Sequence, residues 1–225
     1  TGRMRLTGLQ KILWAAAGLA LLGYGALLLV AEPTPAPLAE APFRPNFTLP
    51  DADGRLRSSA DFAGKHTLVF FGFTNCPDVC PTTLAEVAQV MDDLGDQAGQ
   101  VQPLFISVDP ERDRRLGLSE FTTAFHPSIL GLAGDAAQTR AAADSFRIHF
   151  AREDDAAAPD GYSMSHSPAL YLIGPEGDWL RQFTYGTPAA EILAALLSRL
   201  CSNEALCPLR FLRPDGLPGP CLREF

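Results

Sequence analysis

From position 12 to position 31 the chain carries no charged residue. Twenty helical residues reach about 30 Å, the thickness of a bilayer's hydrocarbon core, so this run predicts a transmembrane helix. Arg3, Arg5 and Lys11 precede it without an acidic residue, and Trp14 stands near one end. That asymmetry would keep residues 1–11 in the cytoplasm and export the remainder. The alternative is a cleaved signal peptide, because Ala39-Glu40-Ala41 resembles a small-residue cleavage site. The apolar run is, however, longer than the roughly 7–15 residues of a typical signal peptide. Residues 32–45 hold five prolines, at 33, 35, 37, 42 and 45, and predict an extended spacer.

Beyond the spacer the pattern changes to short apolar runs separated by amphipathic stretches. Residues 47–49 and Leu56 flank Asp51-Ala52-Asp53-Gly54, whose Asp-Gly step predicts a hairpin. Residues 67–73 form a solid apolar run that reads as a buried strand. Leu84, Val87, Ala88, Met91 and Leu94 follow at helical spacing. Thr83 with Glu86 fits a capping box, which sets the helix at 83–94 with its start near Pro81 to Thr83. Residues 104–108 predict a second strand, 118–125 a short helix, 129–132 a short strand and 136–146 another helix. Residues 151–161 are polar and read as a loop. Residues 169–173 and 179–183, joined by Gly174-Pro175-Glu176-Gly177, predict a strand, a turn and an antiparallel return strand. Residues 189–200 close as a helix. Strand-helix alternation followed by this hairpin and helix is the order of a thioredoxin-like α/β domain over residues 46–200, with a central mixed sheet flanked by helices. Residues 201–225, with four prolines, read as an irregular tail.

Charge narrows the partners. Arg3, Arg5 and Lys11 account for three of 18 basic residues and none of the 26 acidic ones, so the exported part would carry a net charge of −11. That field argues against nucleic acid as a partner. Five cysteines are too few for a disulfide scaffold, and an odd number leaves one unpaired. Cys201 and Cys207 could close a short loop and leave Cys221 free, but spacing does not choose among the three pairings.

The chemistry gathers at Gly72-Phe73-Thr74-Asn75-Cys76-Pro77-Asp78-Val79-Cys80-Pro81, where a buried strand hands two cysteines to the start of a helix. On an ideal helix, residues at i and i+4 have Cβ atoms about 5–6 Å apart, more than the roughly 3.5–4.5 Å of a disulfide. Pro77 and Pro81 disfavour helical dihedrals in the residues before them, which permits a tighter turn. The spacing therefore allows dithiol, disulfide and metal-bound states. A helix N-terminus favours the thiolate, and copper(I) prefers soft thiolates with an imidazole. Of four histidines, His166 precedes the 169–173 strand, which in this topology runs beside the cysteines, so it is the candidate third ligand. His66, His126 and His149 read as structural or surface residues. Met164 could offer a thioether or simply pack. Pro168 opens the strand facing the cysteines, where thioredoxin-like proteins often carry a cis-proline that presents a thiol substrate; the alternative is an ordinary trans-proline.

These strings, together with Ser107-Val108-Asp109-Pro110-Glu111-Arg112-Asp113, Tyr162 four residues before His166, and Tyr171-Leu172-Ile173-Gly174-Pro175-Glu176-Gly177, resemble the Sco/SenC family. The likeness covers about residues 43–200. It implies a membrane-anchored copper protein of thioredoxin-like fold, facing the periplasm from the inner membrane. It further implies copper(I) or copper(II) ligation by Cys76, Cys80 and His166, with Asp109 in support. The implied role is delivery of copper to the binuclear copper site of cytochrome c oxidase. Its partners would be the subunit bearing that site and other copper chaperones or thiol reductants. The competing reading is a thiol-disulfide oxidoreductase that cycles Cys76 and Cys80 to reduce the acceptor's cysteines. Asp109 also fits a helix N-cap. Three features depart from the family pattern: Ser165 stands where an aspartate is common, Asn75 where a histidine is often found, and the tail has no counterpart.

Overall fold

The computed structural model describes residues 7–30 and 43–200, without the side chains at 11, 26–30 and 159. Residues 1–6, Ala31 and the spacer as far as residue 42 lie outside the described residues. So does the tail with Cys201, Cys207 and Cys221. The chain divides into two units, 1–41 and 42–225.

In the first unit, α1 (Gly8–Val30) is one continuous helix over the uncharged run. Its Ile12, Leu13, Trp14, Leu19, Leu21 and Leu22 are exposed. Among the described residues no helix is long and apolar enough to cross a membrane.

The second unit opens with the expected hairpin of β1 (Thr48–Pro50) and β2 (Leu56–Ser58). The Asp51 carboxylate closes the turn by accepting the N–H groups of Asp53 and Arg55 at 3.1 and 3.0 Å. Next come β3 (His66–Gly72), α2 (Val79–Leu94), β4 (Val101–Ser107), α3 (Pro110–Leu116) and α4 (Leu118–Phe125). The chain continues through β5 (Leu130–Leu132), α5 (Ala136–Ser145), β6 (Phe150–Asp154) and β7 (Tyr162–His166). It ends with β8 (Leu170–Ile173), β9 (Trp179–Phe183) and α6 (Ala189–Leu200).

Five strands form the central sheet in the order β5-β4-β3-β8-β9. β3 pairs in parallel with β4, and β4 with β5, while β8 runs antiparallel to both β3 and β9. The sheet is therefore mixed, with helices around it, as the element order predicts. Every residue of β3 is buried, as befits a central strand covered on both faces. Phe70, Phe71 and Phe105 carry much of the core, each worth about 1.5–3 kcal/mol on full burial.

Three expectations need correction. Helix α2 begins at Val79, not near Pro81 to Thr83, so Cys80 lies inside its first turn. Pro81 fits there because the first four helical N–H groups have no intrahelical acceptor. The Thr83–Glu86 capping box does not form: Thr83 Oγ1 donates back to the Val79 carbonyl at 2.8 Å. Glu86 instead accepts the backbone N–H of Ala189 at 2.6 Å, in the first turn of α6. Finally, the expected loop 151–161 is strand at its start: residues 151–154 belong to β6, paired with β7 in a separate two-stranded sheet. That hairpin lies outside the main sheet, and three of the five β6 residues are exposed, so the sequence shows no alternation there to mark it.

Register explains where the site falls. Gly72 pairs with Ser107 and Phe70 with Leu170. The ends of β3 and β4 and the beginning of the antiparallel β8 therefore share one edge of the sheet. The Cys76 loop, the Asp109 segment and the residues just before Leu170 are brought together by that topology.

Candidate metal centre

Cys76 sits in the loop after β3, half-buried, and Cys80 is fully buried in α2; both are free thiols. The chain between them is non-helical through Asp78 and helical from Val79, so the restriction expected of Pro81 on Cys80 does not hold. That path aims the backbone N–H of Cys80 at the Cys76 sulfur, 3.3 Å away. A sulfur that accepts an otherwise orphaned helix N–H is stabilised as a thiolate. His166, 86 residues further on, places Nε2 3.6 Å from Cys80 Sγ. Its Nδ1 lies 3.1 Å from the Ser167 carbonyl. A carbonyl only accepts, so Nδ1 carries a hydrogen and the Nε2 side faces the sulfurs. In the neutral ring Nε2 offers a lone pair; in the imidazolium it offers an N–H to a thiolate. Phe70 and Phe73 meet the imidazole edge to face, each with its centroid 5.9 Å away.

The two thiols differ sharply. Cys76 is drawn down to about 4, chiefly by the hydrogen bond from the Cys80 thiol. His166 and the N–H groups of Cys80 and Asp78 help, against the opposing effect of burial. Cys80 is pushed far above the ordinary thiol range by its bond to Cys76, by burial and by the neighbouring Cys76 charge. Cys76 is the thiolate and Cys80 holds the proton.

Sγ of Cys76, Sγ of Cys80 and a ring nitrogen of His166 all lie within 4.8 Å of one another. A metal about 2.3 Å from each sulfur and about 2.0 Å from the nitrogen needs donors roughly 4 Å apart, so small side-chain shifts close the set. Two soft sulfurs and an imidazole suit copper.

A sequence model of the SCO1/SenC family matches residues 35–201. The chain belongs to the SCO1/SenC family. It is 40% identical over 152 residues to Protein SCO2 homolog, mitochondrial, of Bos taurus, which covers 65% of this chain and 56% of that protein. It thus spans little more than half the length of that relative. Among solved structures it is similar to Arabidopsis thaliana ScoI with copper bound, at 30% identity and a TM-score of 0.65, covering 71% of this chain and 99% of that one. It is likewise similar to Bradyrhizobium japonicum ScoI with copper bound, at 34% identity and a TM-score of 0.62, covering 68% and 97%.

The supporting residues of this SCO1/SenC chain are only partly those that the sequence suggests. Asp109 stands at the N-cap of α3, but its carboxylate caps nothing. It pairs with Arg112 Nε at 2.6 Å and accepts the Tyr162 hydroxyl at 3.1 Å. The N-cap reading is therefore corrected: Asp109 sits at the cap position, but its carboxylate turns to Arg112 and Tyr162. Pro168 follows a trans peptide, for no cis bond occurs among the described residues; the cis reading is corrected. It shares a small cleft with Thr82 and Thr83 of α2. Ser165 turns its hydroxyl to the Ala151 carbonyl across the hairpin. Met164 is half-buried and packs on the core. His66 is buried in β3, His126 contacts Ser128, and His149 is exposed, so none joins the centre.

Asp113 is the residue that sequence reasoning missed. Wholly buried, it accepts the N–H and hydroxyl of Thr74 at 3.0 and 2.8 Å and the Ser107 hydroxyl at 2.6 Å. It thereby fixes the loop two residues before Cys76. Burial raises its pKa despite these bonds. Its position four residues after Asp109 was legible, but no local pattern reveals that Thr74 is its partner.

Proposed function

We propose that this protein is a membrane-anchored copper carrier that loads the binuclear copper site of cytochrome c oxidase. The observation that carries the reading is the convergence of two free thiols and one imidazole within 4.8 Å. Membership of the SCO1/SenC family and likeness to two copper-bound ScoI structures support the choice of metal. Copper is the cargo: Cys76 and Cys80 hold it as thiolates, and His166 through Nε2. Cys76, the more exposed sulfur, is where an acceptor's thiolate would first engage, while the buried Cys80 keeps its hold until exchange is under way. The acceptor is the oxidase's copper-site subunit, with other copper chaperones or thiol reductants acting upstream.

Anchoring in the inner membrane by a single pass, with the domain on the periplasmic side, is part of the same proposal. The uncharged run at 12–31 and the basic residues before it support it, as does the exposed apolar surface of α1.

Competition against a copper chelator tests the reading. Cys76→Ala and His166→Ala proteins should lose copper to a chelator that leaves the wild type loaded; equal retention would sink the proposal.

A second reading is favoured by one observation: one cysteine is half-exposed and its partner is buried behind it, the arrangement of a thiol-disulfide reductant. Here Cys76 attacks an acceptor disulfide and Cys80 resolves the mixed disulfide, leaving the acceptor's two thiols reduced and a Cys76–Cys80 disulfide. Disulfide exchange retained by His166→Ala, with copper binding lost, would separate the two roles.

A further inference from the structure

His166 reaches the sulfurs on an appendage. Strand β7 pairs only with β6 and not with the five-stranded sheet, so main-chain hydrogen bonding to the core does not set the imidazole's reach. Side chains attach it instead: Phe150 and Met164 pack on the core, His166 sits against Phe70 and Phe73, and polar contacts fix the start of the strand. The Tyr162 carbonyl accepts Arg112 Nη1 at 3.1 Å, and the Tyr162 hydroxyl donates to the Asp109 carboxylate at 3.1 Å. The Arg112 guanidinium carbon lies 4.1 Å from the centre of the Tyr162 ring. The guanidinium of Arg152, on β6, lies 3.7 Å from the same ring.

Arg112 is itself a junction. Its side chain is 1% exposed and its Nε pairs with Asp109 at 2.6 Å. Its guanidinium carbon also lies 5.7 Å from the centre of Phe73, the ring that meets His166 edge to face. One buried cation therefore touches the base of the hairpin and a wall of the imidazole pocket. A buried, hydrogen-bonded ion pair holds geometry strongly because breaking it strands a charge. The Arg112–Asp109 pair lies within the α3 segment and meets the hairpin through Tyr162, whereas the ion pair that joins hairpin and body directly, Arg115–Asp160 at 2.7 Å, is 63% and 41% exposed, and such surface pairs are worth little.

We infer that Arg112 and Tyr162 are positioning residues that clamp the β6–β7 hairpin to α3 and so hold His166 within ligand reach of Cys76 and Cys80. The inference deepens the copper-carrier reading and rests on it. The thiols are borne by the β3–α2 loop, which Asp113 ties through Thr74, and by α2, so the Tyr162 side of the clamp does not anchor them. Its loss converts a three-ligand site into a two-thiolate site without disturbing dithiol chemistry.

Tyr162→Phe in the full chain tests this, since it keeps the ring between the guanidiniums and removes only the hydroxyl. Amide hydrogen exchange of β6 and β7 in metal-free protein should quicken about tenfold, the scale of one lost hydrogen bond to a charged group. Copper affinity should fall by a comparable factor, with weakened nitrogen hyperfine coupling in the copper(II) spectrum. The Cys76–Cys80 reduction potential and the exchange of α2 should stay at wild-type values. Arg112→Lys should act in the same direction, and Arg115→Ala should do nothing. Wild-type exchange and affinity in both Tyr162→Phe and Arg112→Lys would overturn the inference. So would a loosening of α2 equal to that of the hairpin. A wild-type copper spectrum with no nitrogen ligand is a separate failure, that of the carrier reading itself.

Discussion

A Cβ placed on Gly72 would lie 2.8 Å from Sγ of Cys80. It would also meet Phe105 at 2.9 Å and Phe70 at 3.0 Å. The last residue of the central strand is thus glycine for want of space: the buried sulfur occupies the volume that any side chain there would take. The close approach of β3 to α2 that seats Cys80 is possible only with a bare Cα.

Gly72→Ala should therefore strike fold and site together. Overpacking a close-packed core costs about 1–3 kcal/mol, and the atom that must yield is one of the proposed copper ligands. Urea unfolding should show that loss, and chelator competition should show weakened copper binding. A variant as stable as wild type that binds copper equally well would mean that the sulfur has room elsewhere.

Cys76 should titrate as a thiolate across the neutral range. Its folded pKa, about 4, lies below the ordinary thiol value of 9.0, so its ionisation favours the folded state. By linkage that contribution is complete above the ordinary value, shrinks as pH falls and is gone below about 4. Cys80, shifted the other way, opposes it only above the ordinary thiol range. The stability gap between wild type and Cys76→Ser should accordingly widen from pH 4 upward. Alkylation of the metal-free protein should label Cys76 at a rate that is flat above about pH 5 and leave Cys80 unlabelled. A labelling midpoint near that of free cysteine, about 8.5, would contradict the arrangement.

Glu86 tests the link between the cysteine-bearing helix and the last one. Its carboxylate accepts the Ala189 N–H at 2.6 Å, serving α6 as an N-cap borrowed from another helix. Glu86→Ala should cost about 1 kcal/mol, the worth of a lost cap, and Glu86→Gln, which keeps an acceptor, distinctly less. Chemical denaturation would reveal both; equal effects, or none, would show that the contact carries no stability.

Much of the domain was legible because its signals are local. The apolar run that became β3, the helical spacing from Leu84 to Leu94 and the turn at Gly54 each follow from neighbouring residues. So did the dithiol, with its prolines, and His166, placed by chain order alone. What escaped was held by distant partners. Thr83 and Glu86 satisfied a local capping rule, yet Glu86 had a closer claimant in Ala189, more than a hundred residues away. Residues 151–154 look like loop because their hairpin has so little buried face. The alternation of Tyr162, Met164 and His166 with Ser163 and Ser165 was the overlooked mark of β7. Asp109 was recognised, but not that its charge would turn from the helix end to Arg112 and Tyr162.

The sequence by itself determined the cysteine pair with its strand-to-helix hand-over and the chain order of the five central-sheet strands with α2, α4, α5 and α6, because each depends on residues within a few positions of one another. Only the tertiary structure decided which sulfur is the thiolate, how His166 is oriented and what holds it there. Those outcomes depend on burial and on hydrogen bonds between residues 39 to 86 apart in the chain, and such bonds exist only once parallel β3 and β4 and antiparallel β8 have brought their ends to one edge of the sheet.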